Sequence, residues 1–451
     1  MNKINLYKIL AAIFLVAIVI TVFRVKLSDS YIKKGANNLS RNYFKSALSD
    51  FEKASILMPN NEYINIKTGE IYLLYKNYNQ AEKQFKKAVK ANKKNPISYT
   101  YLIKTLILEN KINDAETVIK KIPRKIGNDD NLSTQKARVY ADLGKIDDAI
   151  NILNQDSKKG KFYKSLFLIS KGQLKESQDI INNLKSKESS VDSLPIINKT
   201  FEKIQNSDNT TFKSITLAEA LNEINEPYLA EIILNKVIKD NPKYRDAFIY
   251  LGYSNILKEN YNQASDNIQK AIQEDPAYGL SYYFLGEVRL KENNANEAIN
   301  NINKAVNLGY KNKNTYKLLG NINEQQGNNK TAEENFYKAL TFAPKDETVL
   351  MPLINVIIKQ GKLTDAEKIA ATAENNKLLG WVYVEKGDKE KALEYLQKAE
   401  AKEPSSAFIS LKLGELYKKQ SNEKEYKDYF LKTIEYDLSG DLAKLAKEYI
   451  K

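Results

Sequence analysis

The chain has 451 residues, a formal net charge of +14, a mean hydropathy of −0.52, and neither cysteine nor histidine. Without thiol or imidazole there is no Ser-His-Asp or Cys-His nucleophile, no zinc site built on those ligands and no disulfide. Phosphate-binding loops and dinucleotide glycine motifs are also missing, so no cofactor and no metal are expected and the chain reads as a non-enzyme.

The first element is apolar. Ile9 through Phe23 carries no charge, and extended back to Leu6 the stretch covers eighteen residues, close to the minimum that spans a bilayer core. Lys8, near one edge, can snorkel to the headgroups. A cleaved secretory signal should end in small residues, whereas Thr21-Val22-Phe23-Arg24-Val25-Lys26 follows here. An uncleaved anchor over residues 6–23 is therefore expected, within a segment 1–27. Its orientation is contested by two sets of charges. Arg24, Lys26, Lys33, Lys34 and Arg41 after the span argue for a cytoplasmic body. The short tail with Lys3 and Lys8 translocates poorly, and on that ground the body is placed outside the cytoplasm. Residues 1–100 hold 17 basic and 6 acidic side chains, while residues 201–451 hold 35 and 37. The basic excess thus sits beside the anchor, where anionic lipid headgroups would attract it. Lysines spread over helix faces, with no nucleic-acid module, argue against nucleic acid as a partner. Abundant Lys, Asn and Ile, as AT-rich coding gives, points to a bacterium.

From residue 28 onward a period of 34 governs the chain. Ala47, Ala81, Ala115 and Ala149 form one run, and Ala230, Ala264, Ala298, Ala332 and Ala366 a second. Leu251, Leu285, Leu319 and Leu353 keep the same step, as do Gly252, Gly286 and Gly320; Pro242, Pro276 and Pro344 follow their alanines by twelve. Such a period in helix-forming sequence marks stacked helical repeats. In residues 279–312, Tyr282, Leu285, Gly286 and Arg289 lie on one helical stripe, and Ala298, Ile302 and Ala305 on another. Between them Asn293-Asn294-Ala295-Asn296 favours a turn. A glycine facing an alanine lets two antiparallel helices approach closely, and no repeat buries its face without its neighbours. The carboxylate pairs Asp147-Asp148 and Glu333-Glu334 fall early in second helices, where they suit the helix dipole better than catalysis.

These residues resemble the tetratricopeptide repeat (TPR) family. Residues 245–278 match its pattern with Phe248, Leu251, Gly252, Ala264, Ile268, Ala271 and Pro276, although Asn255 stands where an aromatic is usual. Residues 28–61 match with Tyr31, Gly35, Ala47, Phe51, Ala54 and Pro59. About twelve repeats begin near residues 28, 62, 96, 130, 158, 211, 245, 279, 313, 347, 373 and 407. The repeat at 158 is degenerate, with Ser177 in the alanine slot, and the last has Tyr426 there. The resemblance implies an all-α fold: a right-handed superhelical solenoid of about twelve helix pairs, preceded by one transmembrane helix. The array would divide into residues 28–191 and 211–440, joined by an irregular helical segment 192–210 that follows a polar stretch from Ser186 and in which Pro195 could open a helix. Residues 441–451 would form a capping helix with a polar outer face.

By the same resemblance, first helices line a concave groove that holds a peptide or partner helix. The residues expected there are Ile249, Tyr253, Ile256, Leu280, Tyr283 and Leu290, an apolar and aromatic patch of the kind that marks interaction sites. Trp381 should also face the groove, and Tyr63, Ile66 and Leu73 make a weaker patch near the anchor. The carboxylate clamp of chaperone-binding TPR domains is not reproduced. Lys317 and Asn321 fit its opening pair, but Pro352, Glu374 and Leu378 occupy its other positions. Two functions are compatible with these features. One is a membrane-anchored scaffold that recruits a protein partner in envelope assembly or secretion; the other is a self-associating or lipid-apposed solenoid without a peptide ligand.

Overall fold

The computed structural model describes residues 3–123, 126, 129–185 and 192–450, with side chains from residue 10 onward. Residues 186–191 of the polar stretch and the side chain of Lys8 lie outside the described residues. Among the described residues there are 26 helices and no strand. The first, α1 (Lys3–Ser40), runs unbroken from the apolar segment into the first repeat, where it pairs with α2 (Phe44–Leu57). Next come α3 (Glu62–Leu74) with α4 (Tyr78–Ala91), α5 (Pro96–Leu108) with α6 (Ile112–Lys120), α7 (Asp130–Asp142) with α8 (Ile146–Ile152), and α9 (Lys158–Lys171) with α10 (Leu174–Lys185). A single helix, α11 (Leu194–Ile204), occupies the region where the period breaks. The pairs resume with α12 (Thr210–Glu223) and α13 (Pro227–Asp240), α14 (Arg245–Leu257) and α15 (Tyr261–Glu274), α16 (Gly279–Lys291) and α17 (Ala295–Asn307), and α18 (Lys313–Gln325) and α19 (Asn329–Leu340). Then come α20 (Glu347–Lys359) and α21 (Leu363–Thr372), α22 (Asn376–Lys386) and α23 (Lys389–Lys402), α24 (Ala407–Lys419) and α25 (Glu423–Tyr436), and lastly α26 (Asp441–Tyr449). The chain forms two compact units, one of Met1–Gly127 with Asn375–Lys451 and one of Asn128–Glu374.

A repeated socket explains the pairing. Gly69 meets Phe85, Gly252 meets Ile268, Gly286 meets Ile302 and Gly320 meets Phe336, in each case sixteen residues on; a Cβ added at any of these glycines would lie 2.5 Å from that side chain. All nine alanines of the two periodic runs are fully buried. The turn inside each pair repeats as well. Asn42, Lys76, Asn110 and Gly144, then Asn225, Glu259, Asn293, Gly327 and Gly361, all adopt positive φ. Asparagine and glycine enter that region easily, whereas Lys76 and Glu259 do so at a cost of about 1–2 kcal/mol. Many remaining asparagines start helices: Asn61, Asn77, Asn95, Asn209, Asn294 and Asn312 each accept a backbone N–H at an N-cap.

The degenerate repeat keeps an apolar core, with Phe162, Leu166, Phe167, Ile169, Ile181 and Leu184, and adds buried polar contacts to it. Ser177, in the alanine slot, is buried and donates its hydroxyl to the Ser165 carbonyl at 3.0 Å. In the same unit α13 touches both α7 and α9. There Arg138 Nε lies 3.3 Å from Glu226 Oε1, and Tyr163 Oη donates to the same oxygen at 3.2 Å. Burial raises the Glu226 and Asp142 carboxyls above the usual range, and Arg138 pulls both back. In the other unit the repeats nearest the two ends of the sequence meet. Ser46 donates its backbone N–H to Glu435 Oε2 at 3.0 Å and its hydroxyl to Oε1, while Tyr43 and Tyr436 pack with centroids 5.7 Å apart.

Candidate partner-binding surface

The first helices of successive repeats touch one another: α12 with α14, α14 with α16 and α18 with α20 in one unit, α3 with α5 and α22 with α24 in the other. Each such helix also packs against its own second helix and, as at α13–α14, α15–α16 and α19–α20, against the second helix of the repeat before. Enclosed on several sides, it buries more than one stripe. In α14 the buried residues are Ala247, Phe248, Ile249, Leu251, Gly252, Ser254 and Asn255.

This enclosure decides where the expected groove residues lie. Ile249 is fully buried in the core between repeats and is not part of an exposed patch. Tyr283 and Trp381 are also buried, while Tyr253, Ile256, Leu280 and Leu290 are half-buried. Tyr253, Leu280 and Tyr283 come together in one cluster with Phe284 and Tyr310, from which Leu290 is absent. Tyr253 stacks on Phe284 at 4.9 Å, and Tyr283 meets Phe284 at 5.4 Å and Tyr310 at 5.3 Å. The Tyr283 hydroxyl donates to Glu287 Oε1 at 2.7 Å. Burial raises the Glu287 carboxyl, and the bond from Tyr283 lowers it part of the way back. Burial and then the Glu287 charge push the Tyr283 hydroxyl far up, so it stays protonated and donating.

Phe284, Glu287 and Tyr310 were not among the expected residues. Tyr310 stands where Pro242, Pro276 and Pro344 stand in other repeats, and that interruption is the signal the sequence carries. A second aromatic contact flanks the cluster, with the Arg245 guanidinium 3.4 Å above the Tyr278 ring and ion-paired to Asp246 and Asp275.

Trp381 belongs to the other unit. Its Nε1 donates to Glu385 at 3.2 Å, its ring meets Phe408 edge-on at 5.2 Å, and Lys412 Nζ lies 5.2 Å from the ring centroid. It is packed by its own neighbours. Of the weaker patch, Tyr63 is exposed, Ile66 buried and Leu73 half-buried.

Among the described residues α1 is the one helix long and apolar enough to cross a membrane. Its residues Leu10, Ile13, Phe14, Leu15, Val19 and Phe23 are all exposed. That property is compatible with an anchor and with a signal sequence.

Stacked helix pairs, with first helices that touch from repeat to repeat and half-exposed aromatic residues on them, define a helical-repeat scaffold for protein–protein interaction. The tetratricopeptide repeat family pattern matches residues 182–413, and the chain belongs to that family. No curated protein sequence matches it. Among solved structures it is similar to the crystal structure of the APC/C hetero-tetramer Cut9-Hcn1, at 15% identity and TM-score 0.43, covering 93% of this chain and 96% of that one. It is also similar to pilF of Pseudomonas aeruginosa (20% identity, TM-score 0.37, 46% of this chain and 97% of that one) and to MamA (19%, 0.30, 41% and 96%).

Proposed function

We propose that this chain is a membrane-anchored scaffold whose first helices hold a peptide or helix of a partner protein, in envelope assembly or secretion. The observation that carries the binding role is the half-buried set of Tyr253 and Leu280 on first helices and Tyr310 in the turn after α17, packed over the buried Tyr283 and Phe284. Half-buried tyrosines offer large contact area with little side-chain entropy to lose, and clustered aromatics dominate binding energy at interfaces. The apolar, exposed stretch of α1 supports the anchor, and the repeats are read as lying outside the cytoplasm.

Two experiments test this reading. Tyr253→Glu and Leu290→Glu place charge on two half-buried positions, the first at the edge of the cluster and the second outside it. The expected result is loss of co-purifying protein with an unchanged circular dichroism spectrum. Unchanged partners with an altered oligomer size would favour a self-associating solenoid instead. For topology, Ser421→Cys puts a single thiol in the exposed turn between α24 and α25. Labelling by a membrane-impermeant maleimide in intact cells is expected; protection until lysis would place the repeats in the cytoplasm.

A further inference from the structure

The most exposed apolar side chain among the described residues is Ile56, at 78%. Isolated exposed apolar residues are common on soluble proteins. What sets Ile56 apart is its position. It is the penultimate residue of α2, and α2 ends beside α1 where the apolar segment stops. Arg24 Nη2 donates to the Leu57 carbonyl at 2.8 Å, and Ser28 Oγ to the Ala54 carbonyl at 3.4 Å. Arg24 directly follows Phe23, the last residue of the uncharged stretch. Ser28 lies five residues, about 7.5 Å, beyond that stretch and holds Ala54 at its level, and α2 runs back from there by three residues, about 4.5 Å, to Leu57, so the end of α2 sits about 3 Å beyond the stretch. A bilayer's headgroup layers add about 5–7 Å on each side of its hydrocarbon core, so a helix end at this height lies within the interfacial layer.

The neighbouring groups suit such a layer. Leu57, Met58 and Tyr63 line a cleft of about 660 Å³ together with Thr21, Arg24 and the polar Asn60, Asn61 and Glu62, a mixture of apolar and polar groups. Tyr63 is 44% exposed, and tyrosine is a side chain that settles at membrane interfaces. The bond from Arg24 to Leu57 satisfies one of the last carbonyls of α2, so this backbone group meets lipid already paired.

We propose that Ile56, Leu57, Met58 and Tyr63 form a second membrane contact, seated in the interfacial layer of the phospholipid leaflet that α1 leaves. This inference rests on the anchor proposed above. It makes the first repeat a lipid-bound foot whose apolar edge and guanidinium both face phospholipid.

The absence of native cysteine permits a direct test on the full chain. Single cysteines replace Phe14, Ile56 or Leu74, each carries an NBD fluorophore, and each protein is reconstituted into phosphatidylcholine–phosphatidylglycerol vesicles with nitroxide-bearing lipid. Leu74 is 46% exposed and sits at the opposite end of α3 from Tyr63, about 16 Å along the helix. The expected result is lipid quenching at position 56 comparable to that at 14, with little at 74. Quenching at 14 while 56 behaves like 74 would overturn the second contact and leave the anchor standing. No quenching at 14 would remove the anchor and the contact together. A blue-shifted probe at 56 without lipid quenching would assign the surface to protein, such as a second copy, and also overturn the proposal.

Discussion

Repeats seven to nine, residues 245–340, and the stretch from α7 to α13 are both stacks of helices with apolar cores in the same unit, yet their contacts are patterned differently. In the regular repeats an identical apolar socket recurs: glycine on the first helix, isoleucine or phenylalanine on the second, and a fully buried alanine between. Each pair then packs through the same contacts as the last. From α7 to α13 the socket has lost its glycine, replaced by Ala137, Ser165 and Ala218, and α13 touches both α7 and α9. There the buried Glu226 meets the half-buried Arg138 and Tyr163 through bonds that have fixed directions. Periodic packing sets a repeating geometry, whereas a single departure from it is set here by a polar group that is costly to misplace.

The largest effect should come from the polar cluster. Arg138→Met leaves Glu226 buried without its cation, and a loss of about 3–5 kcal/mol in denaturant unfolding of the detergent-solubilised chain is expected. Replacing Arg138, Glu226 and Tyr163 together by apolar residues should restore most of that stability. If the triple variant stays as unstable as the single one, the cluster does more than fix direction, and the contrast drawn above fails. Next comes the socket. Gly286→Val drives side-chain atoms into Ile302, and overpacking of this kind costs about 1–3 kcal/mol. Enlarging the room with Ile302→Ala in the same chain should recover part of the loss, as measured by thermal unfolding. The smallest effect is a gain. Glu259→Gly relieves left-handed strain of about 1–2 kcal/mol against a glycine entropy penalty of about 0.5–1 kcal/mol, so a slight rise in melting temperature is expected.

The regular part of the fold is legible in residues. The alanine and glycine runs and the bulky positions Phe51, Ile268 and Ile302 contain the pairing rule, because each contact lies within one repeat or the next. Contacts without a period carry no such mark. Nothing in the sequence links Ser46 to Glu435, or Arg138 to Glu226, since each pair occurs once and far apart in the chain. The inner surface is legible only in part. Tyr253, Leu280 and Tyr283 do gather, but Ile249 is lost to the core because its first helix, α14, is enclosed by four neighbours, and a single-stripe reading underestimates its burial. Trp381 is covered by Phe408 and Lys412 for the same reason.

The unbroken course of α1 has a mechanical meaning. Its 38 residues make a rod about 57 Å long, with no glycine, proline or loop between the apolar stretch and the packed end at Ser28. A scaffold on a flexible tether searches a volume; one on a rigid mast points in a set compass direction. With α1 seated in a bilayer, the heading of the first repeat is fixed by the helical phase of residues 24–27. One residue inserted there would swing it by about 100° and raise it by about 1.5 Å, with the Arg24–Leu57 bond lost but the contacts among residues from 28 onward kept.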